Sequence, residues 1–172
     1  MERFPESELD PGEDATYWST RDGEPYTGIV FTMFEGKLSG EWECREGYMW
    51  GPERHFDEDG IVCRAWYHLA GCIHGFRREW SFGGKYTLYE YRFGALLRSR
   101  WWRPDGPVVD EDRTVGSEAA NTVRYLADGE RFITAMGGDF SEVPEPYLTL
   151  LPGEWDDPPA PDDAERWMAR FG

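Results

Sequence analysis

The chain has 172 residues and a formal net charge of −16, with 34 acidic side chains against 18 basic ones. Acid in that excess is repelled by DNA, RNA and anionic membrane alike, so nucleic-acid and membrane-surface binding are excluded as expectations. A basic protein partner, or plain solubility, remains, and the length fits one domain with a small appendage.

The first residues, Met1-Glu-Arg-Phe-Pro-Glu6, lack an apolar segment of signal-peptide type, and no apolar run is long enough to span a bilayer. Cys44, Cys63 and Cys72 are odd in number and lack metal-site spacing. A cytoplasmic chain with reduced thiols is the simplest expectation.

Residues 1–16 are acidic and carry Pro5, Pro11 and Gly12, which reads as a lead-in or strap ahead of a repeat domain over 17–153. The repeat is marked by glycines. Gly36, Gly60 and Gly84 are 24 residues apart, and Gly23, Gly47, Gly71 and Gly94 interleave at 24, 24 and 23. Glu35-Gly36, Asp59-Gly60 and Gly83-Gly84 read as hairpin turns, because glycine tolerates the positive φ such turns demand. Between them lie runs rich in aromatic and β-branched residues, predicting strands over 26–34, 37–45, 52–56, 61–69, 76–82, 85–93 and 96–103. The fold class is therefore mainly β: a single antiparallel meander of repeated hairpins, with a short helix at the C-terminus.

Alternation assigns the faces. A two-residue turn at Glu35-Gly36 sets Met33 opposite Leu38, Phe31 opposite Gly40 and Ile29 opposite Trp42, an apolar face, with Ser39, Glu41, Glu43 and Arg45 behind it. Phe76, Trp80 and Phe82 share a face with Arg78. Rings on both faces imply that the termini cover both. Farther on, Thr122 to Met136 with Asp128-Gly129 at its centre predicts another hairpin, and 147–151 a further strand. Pro-rich sequence then leads into a domain end at 154–172. There, 162–171 reads as a short helix with Trp167 and Phe171 on one face, plugging one end of the sheet.

The segments Asp22-Gly-Glu-Pro-Tyr-Thr-Gly28 and Glu35-Gly-Lys-Leu-Ser-Gly-Glu-Trp42 resemble MORN repeats, most of all the bacterial variant of that family. The resemblance covers about 17–112 and departs at Asp59-Gly-Ile-Val62 and Gly84-Lys-Tyr86. It implies an array of hairpins. It also implies an antitoxin-like or immunity-like role, such as bacterial members are often given, or an attachment module, as in eukaryotic arrays.

No Gly-x-Ser-x-Gly, phosphate loop, dinucleotide fingerprint or paired metal-ligand motif is present, so neither cofactor nor metal is expected. Stacking residues 24 apart builds three rows: Trp42, Trp66 and Glu90; Cys44, His68 and Arg92; Phe31, His55 and Glu79. If the register holds, one face gathers Trp42, Trp66, His55, His68, Glu79, Glu90 and Arg92. A histidine flanked by carboxylates suits acid–base chemistry, with His55, His68, Glu79 and Glu90 as the candidates. The same set equally makes an ordinary ladder of cross-strand pairs.

Trp42, Trp66, Trp80, Tyr89, Tyr91, Trp101 and Trp102, with Arg92, are the candidate binding residues for a partner's side chain or a small apolar ligand. Adjacent Trp101 and Trp102 must point to opposite faces. The arginines at 77, 78, 92, 98, 100 and 103 are expected to pair locally with the surrounding acid. The leading expectation is a non-enzymatic protein-binding domain that offers an acidic, aromatic-rich sheet face to a basic partner, such as a basic toxin. The alternative is a small cyclase- or hydrolase-type enzyme with a ring-lined pocket.

Overall fold

In the computed structural model the periodic glycines mark the turns between strands, as their spacing requires. The structure describes residues 1–12, 17–81, 84–103, 109–111, 119–150, 154–155 and 170–171. Its strands are β1 (Arg3–Pro5), β2 (Leu9–Pro11), β3 (Trp18–Thr20), β4 (Gly28–Phe34), β5 (Lys37–Arg45), β6 (Tyr48–Phe56), β7 (Val62–Leu69), β8 (Cys72–Ile73), β9 (Gly75–Ser81), β10 (Lys85–Arg92), β11 (Ala95–Trp102) and β12 (Val109–Glu111). The helices are α1 (Ala119–Ala135) and α2 (Glu145–Leu148).

The main sheet runs β1-β4-β5-β6-β7-β9-β10-β11-β12, with β8 paired to β7. Every pairing in it is antiparallel except β1 on β4. Glu35-Gly36, Glu46-Gly47, Ala70-Gly71 and Phe93-Gly94 each hold two successive residues at positive φ. That is the type I′ geometry whose twist matches a hairpin. The two outermost strands have three residues each, and β1 ends in proline. Such short edges are poor templates for pairing with another chain.

Four register shifts change the expected faces. Met33 does face Leu38, but Thr32 then faces Gly40, Phe31 faces Glu41 and Val30 faces Trp42. Ser39 is the extra residue of a bulge, and one inserted residue flips every side chain beyond it. The apolar face expected of Ile29, Phe31 and Met33 is therefore corrected: Val30 is the buried residue, and Met33 and Phe34 are 53% and 68% exposed.

Each face has its own cover. On the first, Ala65, Tyr67, Leu69, Phe76, Tyr86, Leu88 and Trp102 pack under Ile133, Val143, Tyr147 and Phe171 from the C-terminal region. On the second, the N-terminal strap lays Leu9, Trp18 and Tyr26 over Val30, Trp42, Cys44 and Met49. The lead-in is thus a strap. The covering of both faces by the termini, expected from rings on both sides, holds for these residues.

The C-terminal cover turns on Arg78, which shares its face with Phe76 as expected and is fully buried. Its guanidinium donates to Glu154 at 2.7 and 3.1 Å, to the Pro146 carbonyl at 3.0 Å and to the Thr149 carbonyl at 2.7 Å. Tyr86 adds a hydroxyl to the same carboxylate at 2.6 Å. A buried carboxylate thereby finds a bidentate partner and a third donor, which is what burial of charge demands.

Two expectations fail here. The expected hairpin over 122–136 is instead helical through Ala135, and Tyr147 and Leu148 lie in α2 rather than a strand. Asp128-Gly129 resembled a turn, yet Gly129 serves a different need. A Cβ there would lie 2.3 Å from the Phe93 carbonyl oxygen, so glycine lets α1 approach the β10–β11 turn. Leu126, Gly129, Ile133 and Met136 are the less exposed positions, at helical spacing. Gly137 and Gly138 close the helix, donating to the Thr134 and Ile133 carbonyls as in a Schellman motif. Gly129→Ala should lower stability by about 1–2 kcal/mol in urea titration, although alanine is the better helix former by roughly 1 kcal/mol. An unchanged midpoint would show that the approach is loose. The expected helix over 162–171 lies outside the described residues except at Arg170 and Phe171. Phe171 is buried against Tyr147.

Candidate functional site

Strand pairing beyond the Ser39 bulge sets two neighbouring rows on the second face. One runs Thr32, Gly40, His55, Arg64, Glu79, Thr87 and Trp101. The other begins Val30, Trp42, Glu53 and Trp66, and Arg77 faces Tyr89 farther along the sheet.

Glu53 is the centre of the cluster. Its Oε1 meets His55 Nε2 at 2.8 Å, and its Oε2 meets His68 Nε2 at 2.7 Å and Trp66 Nε1 at 2.8 Å. Trp66 Nε1 is also 2.8 Å from His68 Nε2. An indole N–H only donates and a carboxylate only accepts. Both therefore point their protons at Glu53, and His68 carries its proton on Nε2. His68 Nδ1 is left buried without a hydrogen-bond partner. Burial alone would raise the Glu53 pKa, but the hydrogen bonds and charge of His55 and His68 outweigh it and bring the carboxyl down to about 2.

His55 stacks on Trp66, centroids 5.2 Å apart, and the Arg77 guanidinium sits 4.2 Å from the Trp66 ring. Arg77 Nε also donates to Glu79 Oε1 at 2.6 Å. Gly40 gives His55 its space: a Cβ there would lie 3.1 Å from His55 Nδ1 and 3.0 Å from Thr32 Oγ1.

An open cleft of about 600 Å³ lies at the hairpin-tip end of the sheet and reaches His55. Phe34, Leu38, Phe56 and Trp80 form its apolar walls, and Arg64 and Cys63 line it from β7. Burial raises the Cys63 thiol pKa, so this cysteine is a protonated wall group rather than a thiolate. Cys44 is buried deeper and pushed to about 12. Cys44 and Cys63 are free thiols.

Of the expected site residues, Trp42, Trp66, His55, His68 and Glu79 do share one face. Glu90 and Arg92 do not. Tyr89, not Glu90, faces Arg77, and Glu90 turns to the first face, where it pairs with Arg98. The cause is the 23-residue spacing of Gly71 and Gly94, one short of the period. Phe31 leaves its expected row for the same kind of reason, the Ser39 bulge.

Trp42 is core under Trp18, and Trp80 and Trp102 pack against Tyr86 on the first face. Trp101 stays half-exposed between Lys85 and Arg103, at 4.6 and 4.9 Å from its ring. Tyr89 and Tyr91 lie on the second face, half-buried, with rings 6.3 Å apart. Arg77 lies over Trp66, and Lys85 and Arg103 lie over Trp101, with Glu79 and a buried Glu53 on the same face.

Glu53 itself was missed by sequence reasoning. The signal was present, because Glu53-x-His55 and Trp66-x-His68 each place two polar or ring groups on one side of adjacent strands. Among the described residues no group of three or more His, Cys, Asp and Glu side chains is placed to hold a metal ion. No helix among them is long and apolar enough to cross a membrane. Comparison of the chain with family models, with curated proteins and with solved structures finds no match.

Proposed function

We propose that the chain is a protein-binding domain without catalytic activity, built of MORN-like hairpins, which grips a partner through its second face in the manner of an antitoxin or immunity protein. The observation that carries this reading is the set of cations laid over rings on the second face, where Trp66 is buried and Trp101 is partly exposed. Arg77 lies over Trp66, and Lys85 and Arg103 lie over Trp101. Large aromatic and arginine side chains are the usual anchors of protein interfaces. The opposite face is occupied by the chain's own C-terminal cover. Exposed Met33 and Phe34 extend the apolar surface at the hairpin tip. The overall charge of −16 favours a basic partner at long range, and Arg77, Lys85, Arg103 and Trp101 add local contacts for its acidic or aromatic side chains.

The test is affinity capture from the host cell at low and high salt, with the double variant Arg77→Glu, Trp101→Ala beside the unaltered protein. A partner captured by the unaltered protein should be lost with the double variant and kept with Arg131→Glu on α1. Equal capture by both variants contradicts the reading. The cleft's reach to His55 favours a second reading, an acid–base enzyme. In that case His55→Asn abolishes turnover while leaving partner capture intact.

A further inference from the structure

The geometry points to a second ligand site in the cleft at the hairpin tips, taking a small amphipathic carboxylate: an apolar body with a single anionic head. The cleft has the volume of a small-molecule site, about 600 Å³. Its walls supply the apolar half through Phe34, Leu38, Phe56 and Trp80.

His55 and Arg64 supply the polar half. They are direct cross-strand neighbours on β6 and β7, and both line the cleft. Glu79, the next residue of that row, is the natural partner for Arg64, yet it is held by Arg77. Among the described residues the Arg64 side chain makes no ion pair or hydrogen bond. A guanidinium is a planar fork matched to a carboxylate, and one left unpaired beside an apolar wall is a specific recognition element. His55 is prevented from swinging away, because its Nε2 is tied to Glu53. Its Nδ1 faces the gap left by Gly40.

The acid near the cleft does not cancel this arrangement. Asp57 Oδ1 is occupied by the Asp59 and Ile61 N–H groups of its own turn, and Lys37 donates to the Glu58 carbonyl. Glu35 and Glu58 are exposed, where water screens them. The net charge of −16 slows the approach of an anion at low ionic strength, so added salt should strengthen binding.

The test is titration of the full chain with 3-phenylpropionate, followed by backbone amide NMR shifts. The uncharged 3-phenylpropanamide and the cationic 3-phenylpropylamine are run beside it. The carboxylate should saturate with shifts centred on Ser39, His55 and Arg64. The amide should bind at least 10-fold more weakly, and so should the carboxylate to Arg64→Gln. Arg21→Gln on the strap should leave binding unchanged. Arg64 is exposed, so its replacement leaves the fold intact. The proposal is overturned if the carboxylate fails to saturate, if amide or amine binds as well, if Arg64→Gln has no effect, or if the shifts map elsewhere. The result is independent of partner capture, which depends on Arg77 and Trp101.

Discussion

Replacement of Arg78 by alanine is expected to destabilise the protein by about 3–5 kcal/mol, the range for removing one partner of a buried ion pair. For a chain of this length that lowers Tm by roughly 10–15 °C. Glu154 would be left in the core without its guanidinium, and the Pro146 and Thr149 carbonyls would lose their donors. Glu154→Gln should be milder, because the amide still accepts one hydrogen bond. The double variant Arg78→Met, Glu154→Leu should recover most of the loss, since well-packed apolar pairs of similar volume replace such bridges at little cost. Thermal unfolding of the three variants checks this. If Arg78→Ala and the double variant melt alike, the lost stability comes from packing and not from an orphaned charge.

The second large effect concerns Glu53. Its carboxyl falls from the usual 4.5 to about 2 in the folded chain, which corresponds to about 3 kcal/mol of stability. The sign follows from the direction. A depressed carboxyl stabilises the fold above pH 4.5, where the unfolded chain also has it ionised. That contribution declines as pH falls from 4.5 and is gone below about 2. Glu53→Gln should therefore cost about 2–3 kcal/mol at pH 7, with His55 Nε2, His68 Nε2 and Trp66 Nε1 competing for one remaining acceptor. Urea titrations of both proteins at pH 7, 4 and 2.5 should show the gap between them narrowing steadily. A gap independent of pH would mean that the carboxylate is not what holds the histidines.

The turns and most strands were legible in the sequence because glycine has a local reason to be there: positive φ at the second residue of a type I′ turn. The bulges were not legible. Ser39, Cys63 and Leu97 look like ordinary strand residues, yet each is left over when its neighbours pair. One leftover residue inverts the face of everything beyond it, which is how Phe31 left its expected row; Glu90 left through the 23-residue spacing of Gly71 and Gly94. Helix α1 was hidden by a different ambiguity. Glycine at 129 answers to tertiary contact with the Phe93 carbonyl, and a local rule takes that for a turn. His55, His68 and Trp66 were placed together by the period alone. Glu53, which joins them, needed alternation within β6 as well. The Arg78–Glu154 pair spans a separation of 76 residues, and no local pattern announces it.

Everything proposed for the second face requires that the chain's own C-terminal segments cover the first. Trp101 and Trp102 test this within one peptide. Trp101 is half-exposed between Lys85 and Arg103, and Trp102 is 6% exposed beneath the C-terminal cover. Hydroxyl-radical footprinting with fragment-resolved mass spectrometry should find Trp101 oxidised and Trp102 protected. Equal oxidation of the two, or the reverse order, would contradict the two-faced sheet.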